Sequence, residues 1–442
     1  MENVVNHIGG WQIIIASVIF FISYAIIISE KVDRSIIALS GALLMVLSGV
    51  VDLHIAYTKH IHWGTIFLLL GMMMLVGISS KSGLFQYLAL KTAQSANGDP
   101  VKILVRLALL TAAGSAFIDN VTMVLIIAPI TIAIADILHI KPTPFLITEI
   151  LICNIGGAAT LVGDPPNIMV GTAANLSFND FLIHVSPIII ILLFLTILFL
   201  KRCFAKHLHI AEEFKDKLME MEAGEYIQDP SLAKKSVVVF GLTLLGFFTH
   251  QYLHIEPAVV ALSGGTLLMI VSSKGRNPEE AYHSIEWVTI FFFVGLFVLV
   301  GGLVEAGIIQ KVATWLITVT GNDVVLTSFA LLWGAGIASA FVDNIPLVAT
   351  MIPMVQDMCA QMSLSPTEVS TLWWSLALGA CLGGNGTLIA SSPNLIIASL
   401  AAREGSPISF VEFLKISVPV TLTTLAIASI YVYFIYIKLG FA

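Results

Sequence analysis

Long apolar stretches follow one another along nearly the whole chain and are separated by short polar loops. Each holds roughly 20 residues, the length at which a helix crosses a hydrocarbon core of about 30 Å. We predict ten crossings, five in each half: Trp11–Ser29, Ser35–Val51, Trp63–Ser79, a run broken near Gly156–Asn167, Phe181–Leu200, Ser236–Tyr252, Pro257–Ser272, Trp287–Val304, a run broken near Gly383–Asn394, and Val411–Ile437. The sequence therefore predicts an all-α polytopic membrane protein.

Composition supports this interpretation. Of the 442 residues, 57% are hydrophobic and 11% are charged, whereas soluble domains carry about 25% charged residues. The long polar stretch is Lys201–Lys235, with seven basic and seven acidic residues. We predict three parts: residues 1–200, a solvated linker at 201–235, and residues 236–442.

The two halves carry related sequences. Trp63 and Gly71 recur as Trp287 and Gly295, at an offset of 224 positions. Because each half has an odd number of crossings, the second half is expected to be inverted relative to the first. Inverted repeats with interrupted helices are typical of secondary transporters, which bind their substrate near the middle of the membrane.

Between the third and fourth crossing of each half, an apolar run is interrupted by an Asp-Asn pair. The segments are Ser115–Asn120 and Ser339–Asn344. Placing a carboxylate at this depth costs about 2.5–3.5 kcal/mol on insertion scales, so such a group indicates a function. We predict a re-entrant hairpin in each half, with Asp119 and Asp343 at the tips.

The basic residues predict the orientation. With the amino terminus outside, 18 of the 21 Lys and Arg residues lie at or toward the inside, as expected when basic residues accumulate on the cytoplasmic side. This count requires each Asp-Asn segment to return to its own side. The linker at 201–235 is then cytoplasmic, and the protein lies in the cell membrane.

The broken runs supply the second part of a predicted site. Glycine pairs and prolines interrupt a helix, and the freed carbonyl groups can coordinate a cation. Asp164 has Ser391 as its counterpart, so it either biases one half of the site or caps the following half-helix. Glu149 has Leu376 as its counterpart, and it is either a proton relay or an interfacial residue.

We predict that ion or substrate binding uses polar and glycine residues of both motifs. They are Asp119, Asn120, Thr122, Asn154, Gly156, Gly157, Thr160, Asp164, Asn167, Asp343, Asn344, Gly383, Gly384, Asn385, Thr387 and Asn394. Asn120 and Asn344 are the predicted sodium ligands, although both can instead cap helix ends. Sodium ions or protons are the expected coupling ions, with no other cofactor.

The hairpin tip Phe117–Thr122, followed by Asn154–Thr160 and Gly163–Asn167, resembles the ion transporter superfamily. The nearest resemblance is to the branch of arsenite permeases, sodium/proton antiporters and the P protein. It implies a homodimer in which a transport part moves as an elevator against a scaffold. Dicarboxylate carriers of this group have Ser-Asn-Thr at their hairpin tips. In this chain Asp119 and Asp343 replace the serine, and neither tip contains a basic residue.

Proton-coupled antiport of a cation such as sodium is the function we predict, with an arsenite or other anion permease as the alternative. The expected partners are a small inorganic ion and the lipid bilayer, and no nucleic acid. An ion channel is a further class. The enzyme alternative, an intramembrane aspartyl protease, is disfavoured because Leu161–Asp164 lacks the first glycine of Gly-x-Gly-Asp.

Overall fold

A computed structural model describes residues 10–29, 31–208, 217–272 and 279–441. Within these ranges the chain is helical, with turns and no strand. The α-helices are Gly10–Ser29, Arg34–Leu47, Leu53–Ile55, Trp63–Ser80, Leu84–Gln94, Pro100–Ser115, Asn120–Ile137, Thr143–Gly157, Pro165–Ala174, Phe178–Asp180, Ser186–Phe204, Pro230–Leu253, Pro257–Ser272, Glu279–Tyr282, Trp287–Glu305, Ile308–Val319, Val324–Ser339, Asn344–Gln361, Pro366–Gly383, Ser392–Arg403 and Phe410–Tyr431. The all-helical prediction is confirmed.

Seven described helical segments are long and apolar enough to cross a membrane. They are Gly10–Ser29, Trp63–Ser80, Asn120–Ile137, Phe178–Phe204, Pro230–Leu253, Trp287–Glu305 and Phe410–Lys438. Five shorter apolar helices accompany them, including Arg34–Leu47 and Pro257–Ser272. The protein is therefore a multi-pass membrane protein, as its hydrophobic pattern predicts.

Four composite elements carry the sequence motifs. Hairpin 1 is Pro100–Ser115 and Asn120–Ile137, and hairpin 2 is Val324–Ser339 and Asn344–Gln361. Broken helix 1 is Thr143–Gly157 and Pro165–Ala174, and broken helix 2 is Pro366–Gly383 and Ser392–Arg403. Each hairpin and each break lies where the sequence predicts an interruption.

Two short helices were not among the predicted elements. Leu84–Gln94 and Ile308–Val319 connect the third crossing of each half to its hairpin. Each follows a glycine with positive φ, Gly83 at 77° and Gly307 at 68°. That backbone conformation suits glycine, so the chain turns sharply there before the connecting helix starts.

Polar residues define several helix starts outside the apolar runs. Broken helix 2 begins with a capping box, in which the Ser365 amide and hydroxyl both donate to Glu368 Oε2, at 2.7 and 2.8 Å. These hydrogen bonds hold the pKa of Glu368 below its ordinary value. A capping box satisfies backbone donors that a helix start leaves free.

The helices pack in two groups. In the first, Trp63–Ser80 packs on Pro257–Ser272, and Trp287–Glu305 packs on Arg34–Leu47. The second group joins the hairpins, the broken helices and the helices Ser186–Phe204 and Phe410–Tyr431. Within it, hairpin 1 contacts broken helix 1 through its first arm and broken helix 2 through its second arm.

Glycines let the helices of the first group approach closely. A Cβ at Gly71 would lie 2.3 Å from the carbonyl carbon of Ala261, and one at Gly295 would lie 2.5 Å from that of Ala38. Real Cβ atoms do not approach backbone atoms so closely. The two contacts join equivalent positions of the two halves, since Gly71 and Gly295 are repeat partners.

Gly71→Ala is expected to destabilise the protein, because the added methyl group must push two backbones apart. Overpacking of this kind costs about 1–3 kcal/mol. The measurement is the midpoint of heat-induced aggregation in detergent. Gly241→Ala is the control, since a Cβ at Gly241 meets nothing within 4 Å. Equal midpoints for the two variants would contradict the close contact.

Candidate ion-binding site

The tip aspartates are helix caps as well as charged groups. Asp119 Oδ1 accepts a hydrogen bond from the Thr122 amide at 2.9 Å, and Asp343 Oδ1 accepts one from the Ile345 amide at 3.0 Å. Both aspartates are half-buried. Serine would cap as well, so capping alone does not explain the choice of a carboxylate.

Hydroxyl groups fasten each hairpin tip to the broken helix of its own half. Ser115 donates to the carbonyl oxygen of Cys153 at 2.7 Å, and Ser339 donates to that of Ala380 at 2.7 Å. Thr160 donates to the Ala116 carbonyl oxygen, and Thr387 donates to the Ala340 carbonyl oxygen. Thr160 and Thr387 therefore position the tips.

Asparagine side chains donate hydrogen bonds to backbone carbonyl groups at the two helix breaks. Asn167 Nδ2 donates to the carbonyl oxygens of Ala158 and Thr160, at 3.1 and 2.9 Å. Asn394 Nδ2 donates to those of Gly384 and Thr387, at 2.8 and 2.9 Å. The two asparagines hold the breaks in shape, a role that the expectation of carbonyl coordination did not foresee.

Three of the four predicted glycines serve close packing. A Cβ at Gly157 would lie 2.3 Å from Asn120 Oδ1, one at Gly156 would lie 2.7 Å from the Ala112 carbonyl oxygen, and one at Gly383 would lie 2.3 Å from that of Gly336. At Gly384 the nearest atom is 3.3 Å away. Each hairpin thus approaches its broken helix across a glycine.

Asp164 lies between the two hairpin tips. Its side chain is buried, with 2% of the residue exposed, and its Oδ2 lies 3.5 Å from Asn344 Nδ2. The Asn120 side chain and the Cys381 thiol lie close to the same carboxyl group. Although Asp164 precedes a half-helix, its side chain makes no capping hydrogen bond, which removes the capping alternative.

Asn120 has unused hydrogen-bonding capacity. Its Oδ1 accepts from the Ser115 hydroxyl, but its buried Nδ2 has no hydrogen-bond partner among the residues that the structure describes. Neither Asn120 nor Asn344 uses its side chain as a helix cap, because Asp119 and Asp343 fill that position. Capping therefore engages neither side chain: Asn344 Nδ2 donates to Asp164 Oδ2 instead.

A cluster of polar side chains links the two broken helices. Asn154 Nδ2 donates to Asn385 Oδ1 and Asn394 Oδ1, both at 2.9 Å. Asn385 Nδ2 donates to the Leu151 carbonyl oxygen at 3.1 Å, and the Ser391 hydroxyl to Asn154 Oδ1 at 3.4 Å. The structure therefore brings together motifs more than 200 positions apart.

Arg34 neutralises one of the two tip carboxylates. Its Nη1 lies 3.3 Å from Asp343 Oδ2 and 2.6 Å from Ser392 Oγ, while the Ser392 hydroxyl donates to Asp343 Oδ2 at 2.9 Å. The guanidinium also lies over the Phe292 ring, 4.9 Å from its centroid. Neither tip contains a basic residue, but Arg34 reaches Asp343 from another helix.

Asp119 has a different electrostatic neighbour. It interacts with Glu286, an acidic residue that precedes Trp287–Glu305 and also interacts with Arg34. The two tips are thus unequal: Asp343 forms an ion pair with Arg34, whereas Asp119 lies in the electrostatic field of the Glu286 carboxyl group. Sequence reasoning missed Arg34 and Ser392. The available signal concerned Arg34, whose counterpart in the second half is Pro257.

Glu149 is buried outside this group of side chains. It is 1% exposed, its Oε1 accepts from the Thr131 hydroxyl on hairpin 1, and its Oε2 has no partner among the described residues. It therefore lies inside the protein rather than at an interface. No group of three or more metal-ligating His, Cys, Asp or Glu side chains occurs in the part of the chain that the structure describes.

Comparison with known proteins agrees with this architecture. Residues 24–379 match the family CitMHS, described as citrate transporter. The chain belongs to the CitMHS family of the ion transporter superfamily. An uncharacterized transporter of Mycobacterium tuberculosis is 42% identical over 429 residues, which cover 96% of this chain and 99% of that protein.

The chain is also similar to the P protein in sequence and to the YdaH transporter in fold. The P protein of Sus scrofa is 31% identical over 509 residues, covering 97% of this chain and 60% of that protein. The crystal structure of the Alcanivorax borkumensis YdaH transporter matches with a TM-score of 0.59 and 14% identity, covering 97% of each chain. This CitMHS family member is therefore a transporter of the P protein type with a YdaH-like fold.

Proposed function

We propose that the protein exchanges protons for a cation, with sodium as the first choice, across the cell membrane. The observation that carries this proposal is the buried carboxyl group of Asp164, which lies between Asn120 and Asn344 and caps no helix. Sodium prefers carboxylate and amide oxygens, as hard cations do. Since a charged group in such a place must be paired or neutralised, a sodium ion and protons compete for the same oxygens.

Charge balance supports a cation rather than an anion. Asp119, Asp164 and Asp343, with the neighbouring Glu286, bring four carboxyl groups to the site, and Arg34 supplies one positive charge. Three carboxyl groups are left for a bound cation or for protons to neutralise. A dianion would meet net negative charge, which disfavours it unless the carboxyl groups are protonated.

An elevator movement of the second helix group against the first is part of the proposal. Inverted repeats, which the odd number of crossings in each half predicts, and a homodimer, which the family resemblance implies, complete it. Arg34 is the first residue of Arg34–Leu47, and Glu286 immediately precedes Trp287–Glu305. With the amino terminus outside and the linker cytoplasmic, both residues lie at the cytoplasmic ends of their helices. Because Arg34 and Glu286 interact with the tip aspartates, we assign this conformation to the inward-facing state.

Flux in proteoliposomes tests the function. Purified protein is reconstituted with a pH dye inside the vesicles, and a sodium gradient is imposed without a membrane potential. We expect sodium-dependent proton movement in the opposite direction, absent from empty vesicles. The reverse result, arsenite-dependent flux without sodium-dependent proton movement, would sink the antiport proposal.

An anion permease is the second candidate, and Arg34 is the observation that favours it. The Arg34 guanidinium, the Ser392 hydroxyl and the amino terminus of Ser392–Arg403 together form a positive region that suits an anion. The family description names citrate, and the superfamily branch includes arsenite permeases. Citrate and arsenite counterflow in the same vesicles distinguish this candidate from the first.

Arg34→Gln is expected to slow sodium exchange several-fold and to lower the apparent KM for sodium. Arg34 competes with the bound cation for Asp343, so its removal strengthens cation binding and delays release. Radioactive sodium exchange over a range of concentrations measures both quantities. Arg34→Lys keeps the charge and is expected to stay near wild type; if it behaves like Arg34→Gln, competition by charge is the wrong explanation.

A further inference from the structure

An apolar crevice lies between hairpin 1 and the helix Ser186–Phe204. Its volume is about 730 Å³, within the range of roughly 300–1,000 Å³ found for ligand pockets. Lining residues include Leu109, Ala112, Phe117, Ile190 and Phe194. Leu109, Ile190 and Phe194 are 53%, 64% and 67% exposed, so the crevice opens toward the surroundings of the protein.

The second half of the chain fills the equivalent place with its own side chains. Trp333 is the repeat partner of Leu109, and its Nε1 donates to Ser429 Oγ at 2.9 Å. A Cβ at Gly336, the partner of Ala112, would lie 2.8 Å from both Cδ atoms of Leu425. Side chains of the second half therefore fill the place that is an open crevice in the first half.

Two corresponding hydrogen bonds define the register between the two halves at these helices. The Ser186 hydroxyl donates to the Ala159 carbonyl oxygen at 2.7 Å, and the Ser417 hydroxyl donates to that of Gly386 at 2.9 Å. These bonds occupy the same place in broken helices 1 and 2. Counting on from each serine pairs Leu198 with Ser429.

One end of the crevice is basic. Lys201 belongs to its lining, and Lys201 and Arg202 are exposed in the last turn of Ser186–Phe204. Counting from the same serines, the partner of Lys201 is Val432, which is fully buried. The first half alone therefore combines an apolar crevice with positive charge at its end.

We propose that this crevice binds one acyl chain of an anionic phospholipid, with the headgroup on Lys201 and Arg202. The helix from Ser186 to Lys201 is about 22 Å long, which exceeds the roughly 15 Å of hydrocarbon that one leaflet provides. Basic residues near the membrane surface attract the headgroups of anionic lipids. The chain would lie against Phe117 beside the tip of hairpin 1, independently of which ion is transported.

Native mass spectrometry of detergent-purified protein tests the site, with phosphatidylglycerol and phosphatidylcholine as the added lipids. The closing variant combines Leu109→Trp with Leu198→Ser and copies the Trp333–Ser429 pair. We expect wild type to retain one phosphatidylglycerol preferentially and the closing variant to retain at least fivefold less. Leu242→Trp, at a residue 52% exposed on Pro230–Leu253, is the control and is expected to match wild type.

Headgroup selection is tested separately with Lys201→Ala combined with Arg202→Ala. This variant is expected to lose the preference for phosphatidylglycerol over phosphatidylcholine while still binding lipid. Equal lipid retention by wild type and the closing variant would overturn the proposal. So would a change of oligomeric state in the closing variant alone, which would mean that a second copy of the chain covers the crevice.

Discussion

Asp119→Asn and Asp343→Asn are each expected to abolish sodium-dependent proton movement in proteoliposomes while leaving the protein folded. Asparagine caps a helix about as well as aspartate, so both hairpins keep their tips. The variants lose the negative charge and the proton-binding oxygen. Each variant removes a carboxylate that would bind the exchanged ions, so a loss of exchange rate on the order of 100-fold is expected, which corresponds to about 2.8 kcal/mol.

Matched controls exist at the other ends of the same hairpins. Asp99 and Asp323 cap Pro100–Ser115 and Val324–Ser339 through hydrogen bonds to backbone amides, with distances of 2.9 Å to Val101 N and 2.8 Å to Leu326 N. Asp99→Asn and Asp323→Asn repeat the chemical change away from the site, and near wild-type flux is expected. If both tip variants retain proton-coupled flux across pH, the proposed role of the two aspartates fails.

Much of the fold follows from the sequence because lipid imposes a simple rule. A segment that crosses hydrocarbon must satisfy its backbone internally and present apolar side chains, so crossings such as Trp287–Glu305 appear as uninterrupted runs. Helix interruptions then stand out. The connecting helix Leu84–Gln94 escaped prediction because it is short and its composition is mixed, with no lipid-crossing run to mark it.

The site residues that could be predicted are mainly those that recur in both halves of the sequence. Asp119 and Asp343 occur in repeated segments, and so do Asn167 and Asn394, whose side chains make corresponding hydrogen bonds in the two halves. Arg34 could not be found in this way, because its contact with Asp343 spans 309 positions and has no repeat partner. Its contribution is a property of the packed structure alone.

Asp164 is where the two halves differ most sharply in the site, and Asp164→Ser is the second change with a large expected effect. The variant gives broken helix 1 the residue that broken helix 2 has at Ser391. Because Asp164 makes no capping hydrogen bond, the half-helix Pro165–Ala174 keeps its start. We expect a folded protein in which sodium-dependent proton movement is lost.

The loss in Asp164→Ser has a specific physical reason. Serine is too short to place an oxygen between Asn120 and Asn344, and it carries no charge to balance a cation, so both tip amides lose the carboxyl group that they face. Flux and thermal stability are measured on the same preparation, with Ser391→Ala as the control that changes the partner position. Wild-type coupling in Asp164→Ser would remove Asp164 from the site and leave Asp119 to bind the exchanged ions without it.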